Sequence, residues 1–264
     1  MQNIKNINDP RIEPYRSLRG TPSYHEENDI FIAEGEKLVL KLLNSGLEVL
    51  SFYALPEYFA KFENLISSSG VPEDDIYSSS EQIMEKIVGF RMHQGIMAIG
   101  KIPPQTDISQ IELPAVALNG IIDSENVGSI VRNAAAFGYR SIIFDKNTSS
   151  PWLRRAVRVS MGTIFSMQHF SSDVLINPLK ALKERTIPVL SCEIGDRSQD
   201  ISGFDFPGEH CLVFGSEGYG IDKEVSGIAD AEIMIPITDK VESLNVAASS
   251  AVIMHWARKK FIKK

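Results

Sequence analysis

Cysteine is scarce in this chain, with only Cys192 and Cys211 among 264 residues. That is too few for a disulfide scaffold, and both lie in apolar runs where a buried, reduced thiol is the ordinary state. No run of about 18 apolar residues occurs, which excludes a membrane-spanning helix. The first residues, Met1 to Asn6, are polar and lack the apolar centre of a secretion signal. These absences lead us to expect a cytoplasmic protein. Base is also in deficit, with 27 Lys and Arg against 34 Asp and Glu and a net charge of −7. A general nucleic-acid coat protein is disfavoured, since phosphate neutralisation wants an excess of cations. The five histidines, at 25, 93, 169, 210 and 255, show no i, i+4 pair and no adjoining cysteine pattern, so no metal site is expected. Dinucleotide fingerprint, phosphate loop and nucleophile elbow are all missing.

What is present is an ordinary globular balance of 43% hydrophobic and 23% charged residues, enough to bury one large core or two small ones. Basic residues cluster locally at Arg154, Arg155 and Arg158, at Arg11, Arg16 and Arg19, and at Arg258, Lys259, Lys260, Lys263 and Lys264. The last group equally suits the C-terminal dipole of a helix.

The clearest break is Lys101 to Asp107, where Pro103 and Pro104 exclude helix and central strand. It sets a first domain at 1–100, a linker at 101–113 and a second domain at 114–264. The first domain reads as a small α/β module. Asp9-Pro10 signals a helix start, and Phe31 to Ala33 a strand. A helical stripe from Glu34 to Asn44 ends near Gly46, and Leu47 to Leu55 is a strand. A helix capped by Ser80 runs to Val88, and Gln94 to Ile99 closes the module. In the second domain strands are predicted at Ala115–Leu118, Ser141–Phe144, Pro188–Leu190, Leu212–Phe214 and Ala231–Ile235. Helices are predicted over Val127–Phe137, from Ser150-Pro151, over Pro178–Arg185 and over Asn245–Lys260. Continuous apolar strands alternating with helices argue an α/β fold with a parallel sheet covered on both faces. Ligands of such sheets bind outside the carboxyl ends of the strands.

Three loops leave those ends. The first leads into Asn126 to Gly138, with Asn126 expected as the helix N-cap. Gly128 is unusual in a first turn, and Arg132 is either an exposed surface cation or a group directed at phosphate or hydroxyl. The second is Gly215-Ser216-Glu217-Gly218-Tyr219-Gly220, whose glycines are expected to leave backbone open to a ligand. Glu217 is either a solvated carboxylate or a ligand-facing one. The third is Glu242-Ser243-Leu244-Asn245, where Ser243 or Asn245 is placed to cap the last helix.

In this order and at these distances, the segments Asn126 to Gly138, Leu212 to Gly220, and Ile235-Pro236 with Glu242 to Val246 resemble the motifs of the SpoU (TrmH) family. These are RNA 2′-O-ribose methyltransferases of the SPOUT class. The likeness covers residues 115 to 260. The first domain is similar, less specifically, to the ribosomal-protein-like substrate-binding module of the family, through Phe31 to Gly35 and His93-Gln94-Gly95. The continuation Val246 to Ser250 departs slightly from the usual aliphatic one.

The resemblance implies a C-terminal trefoil-knot domain that binds S-adenosyl-L-methionine and dimerises through that domain. It implies an RNA substrate, ribosomal RNA first and transfer RNA second. It assigns cofactor contact to Phe214, Gly215, Gly218, Ile235, Ile237, Leu244 and Asn245, and catalysis to Arg132, Asn126, Glu217, Ser243 and Asn245. A methyl donor supplies its own electrophile, so the protein mainly positions and helps to deprotonate. Arginine stays protonated, which makes Arg132 a group that orients the hydroxyl or its phosphate rather than a base. Arg154, Arg155 and Arg158 are expected, with the first domain, to grip RNA. Two rival readings are a non-catalytic RNA-binding relative and a nucleotide-dependent enzyme of another class, such as a dehydrogenase. The presence of Arg132, Glu217 and Asn245 argues against the first, and the missing glycine fingerprint against the second.

Overall fold

A computed structural model of the chain describes residues 1–16, 23–89 and 95–260. Arg19, His93, Gln94, Lys263 and Lys264, singled out above, lie outside the described residues, as does the side chain of Lys260. Two compact units divide the chain. Met1–Pro103 and Trp152–Phe165 form one, and Pro104–Pro151 and Ser166–Lys264 the other. Trp152–Phe165, which the sequence places in the C-terminal domain, therefore groups with the first unit.

The first unit runs β1 (Gln2–Asn3), α1 (Ser23–Glu27), β2 (Ile30–Glu34), α2 (Glu36–Leu43), β3 (Val49–Ala54), α3 (Pro56–Ser68), β4 (Ile76–Ser78), α4 (Glu81–Val88) and β5 (Ile96–Lys101). Its sheet order is β1-β4-β3-β5-β2, with β5 antiparallel to both β2 and β3 and the other pairs parallel. One core gathers Ile12, Tyr15, Ile32, Tyr53, Met84, Val88 and Met97. The two buried tyrosines keep hydroxyl partners, Tyr15 with Ser51 at 2.7 Å and Tyr53 with Ser79 at 2.6 Å, as burial of a polar group requires. Phe31 points the other way. It packs on Trp152 and Phe165 with ring centroids 5.0 and 5.1 Å away. Ser80 occupies the N-cap position of α4 as expected, without a side-chain capping bond.

The second unit runs β6 (Ala115–Asn119), α5 (Ser124–Ala136) and β7 (Ser141–Asp145). The helix α6 (Arg154–Val159), which groups with the first unit, interrupts it. Then follow β8 (Gln168–Ser172), α7 (Ile176–Glu184), β9 (Val189–Cys192), β10 (Gln199–Asp200), β11 (Cys211–Gly215), α8 (Lys223–Ser226), β12 (Ala231–Met234) and α9 (Val246–Ala257). The sheet order is β10-β12-β9-β11-β6-β7-β8, and every pair is parallel. Periodicity did not reveal β8, whose sequence Gln-His-Phe-Ser-Ser is too polar for a buried-strand pattern. Pro151 lies in a turn, and α6 starts only after Leu153, so the helix predicted from Ser150-Pro151 begins later. Among the described residues no helix is long and apolar enough to cross a membrane.

The strand order places the chain's reversals at the centre of this sheet. From β6 the chain moves outward through β7 and β8, then returns to the opposite side of β6 through β9 and β11. Strands β6 and β11 lie side by side in register, Gly215 opposite Asn119. Their loops therefore leave the sheet together and turn opposite ways, which opens a crevice at the carboxyl ends.

Candidate functional site

Two concavities lie on the carboxyl edge of the second sheet. One is a slot walled by Ile233, Met234, Ile235, Ile237, Leu244 and Ile253, with Cys192, Glu193, Ile194 and Ser249 completing it. Burial pushes the Cys192 thiol well above its ordinary range, so this residue is a neutral wall rather than a thiolate. The other is a groove between Gly120–Asp123 and Ser216–Tyr219, with Asn126 at its base.

A triangle of side chains joins them. Asn126 Nδ2 donates to Glu217 Oε1 at 3.0 Å. Asn245 Nδ2 donates to the same oxygen at 2.5 Å and to Asn126 Oδ1 at 3.0 Å. Leu244 lines the slot, and the next residue reaches the two groups that line the groove. Each corner has a local cause. Asn245 is held because its Oδ1 caps α9, accepting from Ala247 and Ala248 N–H at 3.0 and 3.2 Å. Asn126 is held by α5. It is not the N-cap expected from sequence. Asp123 caps α5 by accepting from Glu125 N–H at 2.8 Å, and Asn126 sits one turn inside, buried. Asn133, seven positions on and so on the same helix face, donates to Ala247 O at 2.9 Å and to Ser250 Oγ at 3.0 Å, which ties α5 to α9.

Glu217 is held by its loop. Ser216 and Gly220 exchange backbone hydrogen bonds of 3.0 and 2.9 Å. Gly215 is glycine because this closure requires it. A Cβ there would meet the Gly220 carbonyl carbon at 2.3 Å and the Ile221 nitrogen at 2.5 Å. Beneath the loops Asn119 Nδ2 donates to Asp145 Oδ2 at 2.6 Å and to Asp222 Oδ2 at 2.9 Å, while Asp145 also accepts from Gly120 and Asn147 N–H. This network, buried at Asn119 and Asp145, fixes both walls of the groove to β6 and β7. Nothing in the local sequence pattern signals Asn119, Asp145 or Asp222.

The remaining expected residues are placed as follows. Ile235, Ile237 and Leu244 line the slot. The Phe214 side chain is in the core, 1% exposed, and Gly218 lines the groove. Ser243 is exposed. Arg132 is exposed on α5 and forms no hydrogen bond or ion pair with the described residues. It lies six positions after Asn126, about 120° round the helix, so it does not join the triangle. Arg154 is committed elsewhere, against expectation. Its guanidinium donates to Glu34 Oε2 at 2.8 Å from Nε and 2.5 Å from Nη2, with both side chains mostly buried. Arg155 and Arg158 are exposed on α6. The slot residues Cys192, Glu193 and Ile194 come from the end of β9, which carries no motif.

Residues 114–255 match the profile of the SpoU rRNA Methylase family, more than half of the chain. An uncharacterised tRNA/rRNA methyltransferase of Mycobacterium tuberculosis is 27% identical over 97% of this chain and 91% of its own. A 23S rRNA (guanosine-2′-O-)-methyltransferase of Acinetobacter baylyi, RlmB, is 24% identical over 69% of this chain and 77% of its own. The crystal structure of an AdoMet-bound rRNA methyltransferase from Sinorhizobium meliloti superposes with a TM-score of 0.86, covering 99% of each chain at 22% identity. The chain belongs to the SpoU rRNA Methylase family, and it is an RNA methyltransferase.

Proposed function

We propose that the protein transfers a methyl group from S-adenosyl-L-methionine to a ribose 2′-hydroxyl of structured RNA, with ribosomal RNA as substrate. The observation that carries this reading is the Asn126–Glu217–Asn245 triangle, set between an apolar slot and a polar groove. The slot suits an adenosyl group. Its walls are mostly aliphatic, they come from strand ends, and Glu193 and Ser249 add sparse polar groups. Ile235, Ile237 and Leu244 would hold that group by apolar contact. When bound, the cofactor supplies a methyl carried on a sulfonium, the electrophile of the reaction.

The chain's residues do the positioning. Asn126 and Asn245 both donate to Oε1 of Glu217, fixing the carboxylate, while Oε2 takes no hydrogen bond from the described residues. That oxygen is the acceptor that orients the 2′-hydroxyl. Asn126 and Asn245 are positioning residues behind it. The exposed Arg132 is assigned to the RNA phosphate and to the negative charge that develops on the attacking oxygen. As a permanent cation it removes no proton, so the proton leaves to solvent or to a substrate phosphate. Ser243 is assigned to the acceptor side with Glu217, and the backbone at Phe214, Gly215 and Gly218 to the methyl donor. Arg155 and Arg158, with the first unit, are assigned to grip RNA, and two copies are proposed to associate through the C-terminal unit. The 2′-O-methyl chemistry of the Acinetobacter relative supports the ribose target and ribosomal RNA. Transfer RNA is the second reading.

The test is mapping of 2′-O-methyl positions in total RNA from cells with and without the gene. Loss of methylation at one ribosomal position, restored by the purified protein and S-adenosyl-L-methionine, is expected. Loss confined to transfer RNA would move the substrate, and an unchanged map with altered base methylation would refute the ribose target.

A further inference from the structure

Tyr219 is 95% exposed and Ile122 is 75% exposed, and they belong to the two opposite walls of the groove. Large apolar groups held out in water on both sides of a polar base call for an occupant. Neither is on a floppy tip. The Tyr219 N–H donates to Ser216 Oγ at 3.2 Å inside the loop closed by Ser216 and Gly220. Ile122 precedes the capping residue Asp123, and its carbonyl accepts from Ser149 Oγ. The backbone that carries the ring is therefore held at a fixed place, the ring is open to solvent, and no ring contact to it forms among the described residues.

Charge identifies the kind of occupant. The groove is lined by two carboxylates, Asp123 and Glu217, and by one carboxamide, Asn126, with no Lys or Arg. A phosphate is repelled there. A planar group with N–H donors at its edge and an apolar face is favoured, which is the description of a nucleobase. The groove holds about 310 Å³, at the lower end of the range of ligand clefts.

We propose that this groove takes one unpaired nucleobase of the RNA, stacked on Tyr219 against Ile122, with its edge N–H groups directed at Asp123 while Glu217 Oε2 serves the 2′-hydroxyl. The proposal rests on the reading of the protein as an RNA ribose methyltransferase and deepens it. Tyr219 becomes a specificity residue that selects unpaired RNA and sets the target nucleotide's register, while phosphates lie outside the groove. RNA is generally read in this way, by splaying bases onto aromatic faces.

The test uses the full chain, total ribosomal RNA, and 12-residue oligoribonucleotides with and without abasic sites. Stacking on one aromatic side chain predicts that Tyr219→Ala weakens oligonucleotide binding by about tenfold or more. Tyr219→Phe should bind within about twofold of wild type, because the ring face and not the hydroxyl makes the contact. Wild type should prefer the intact oligonucleotide over the abasic one, and Tyr219→Ala should lose that preference. The salt dependence of binding should be the same for both, since no phosphate contact is removed. Calorimetric affinity for S-adenosyl-L-methionine should not change. Wild-type affinity in Tyr219→Ala, equal losses in the Phe and Ala variants, or a shallower salt slope in Tyr219→Ala would each overturn the proposal while leaving the methyltransferase reading intact. A wild-type chain that binds S-adenosyl-L-methionine but no RNA would overturn both.

Discussion

Asn126 and Glu217 are 91 positions apart in the chain and 3.0 Å apart in the fold, with the carboxamide donating to the carboxylate. Asn245 donates to the same oxygen from the far end of the domain. Two neutral donors converging on one carboxylate orient it without cancelling its charge, which leaves an acceptor pointed at the groove.

Glu217→Gln should therefore lower methyl transfer by roughly 10- to 100-fold, the worth of a hydrogen bond to a charged group. The amide presents an N–H where the carboxylate accepts, and it faces two donors from Asn126 and Asn245. Affinity for the methyl donor should stay within about twofold, since Glu217 does not line the slot. Single-turnover rates on ribosomal RNA alongside calorimetry separate the two. Equal loss of donor affinity and rate would argue against the assignment of Glu217 to the acceptor side.

A charge placed in the slot should do the reverse. Leu244 is 39% exposed, so Leu244→Asp leaves the fold intact. It introduces a carboxylate onto an apolar wall, and donor affinity should fall by about 30-fold or more, given the cost of desolvating a charge. An unshifted thermal melt with lost calorimetric binding is the expected pair of results. Retained donor binding would place the cofactor elsewhere.

The arginines of α6 should part company. Arg154→Ala leaves Glu34 mostly buried and unpaired, and should destabilise the fold by roughly 2–4 kcal/mol in urea unfolding. Arg158→Gln, on the exposed side of the helix, should change stability by under about 0.5 kcal/mol. Its effect should appear instead as a salt dependence of RNA binding that is shallower by about one. A salt slope altered by Arg154→Ala alone would reverse these roles.

Acid should weaken the fold through two buried histidines. Burial pushes His169 and His210 down to about 4. His210 Nδ1 faces the Pro207 carbonyl at 2.8 Å and so donates, which leaves Nε2 to accept from Tyr139 Oη at 2.8 Å, the pattern of a neutral ring. The unfolded chain takes up these protons near pH 6.5 and the folded chain does not. Stability is thus fully present above about pH 6.5 and is lost as pH falls from there toward 4. Between pH 7.5 and 5 each histidine should remove roughly 1–2 kcal/mol. Urea titrations at a series of pH values should show this slope, and His210→Asn should remove about half of it. A stability that is flat down to pH 5 would contradict it.

Much of the frame was legible in the sequence, because its causes are local. The apolar runs of β6, β7 and β11 report strands buried on both faces, and the stripe from Val127 to Phe137 reports a helix with one face inward. The cap of α9 was legible as Ser243 or Asn245, because capping is settled within three residues, and the structure gives it to Asn245. Where a local competitor stood nearby, the local rule failed. Asp123 took the cap of α5 from Asn126, and the turn around Pro151 ran on to Leu153 before α6 began.

The chain's sequence by itself determined the alternation of strands and helices, the family motifs and the residue types available for chemistry, since each is written in a few consecutive positions. Only the tertiary structure decided which of them meet. It brought Asn126, Glu217 and Asn245 to one point, left Arg132 outside that point, and turned Arg154 inward to Glu34. It also built the slot from the unmarked end of β9 and set Tyr219 opposite Ile122 across the groove. Those outcomes depend on the strand order and on contacts between segments up to 120 positions apart, and no window of neighbouring residues contains them.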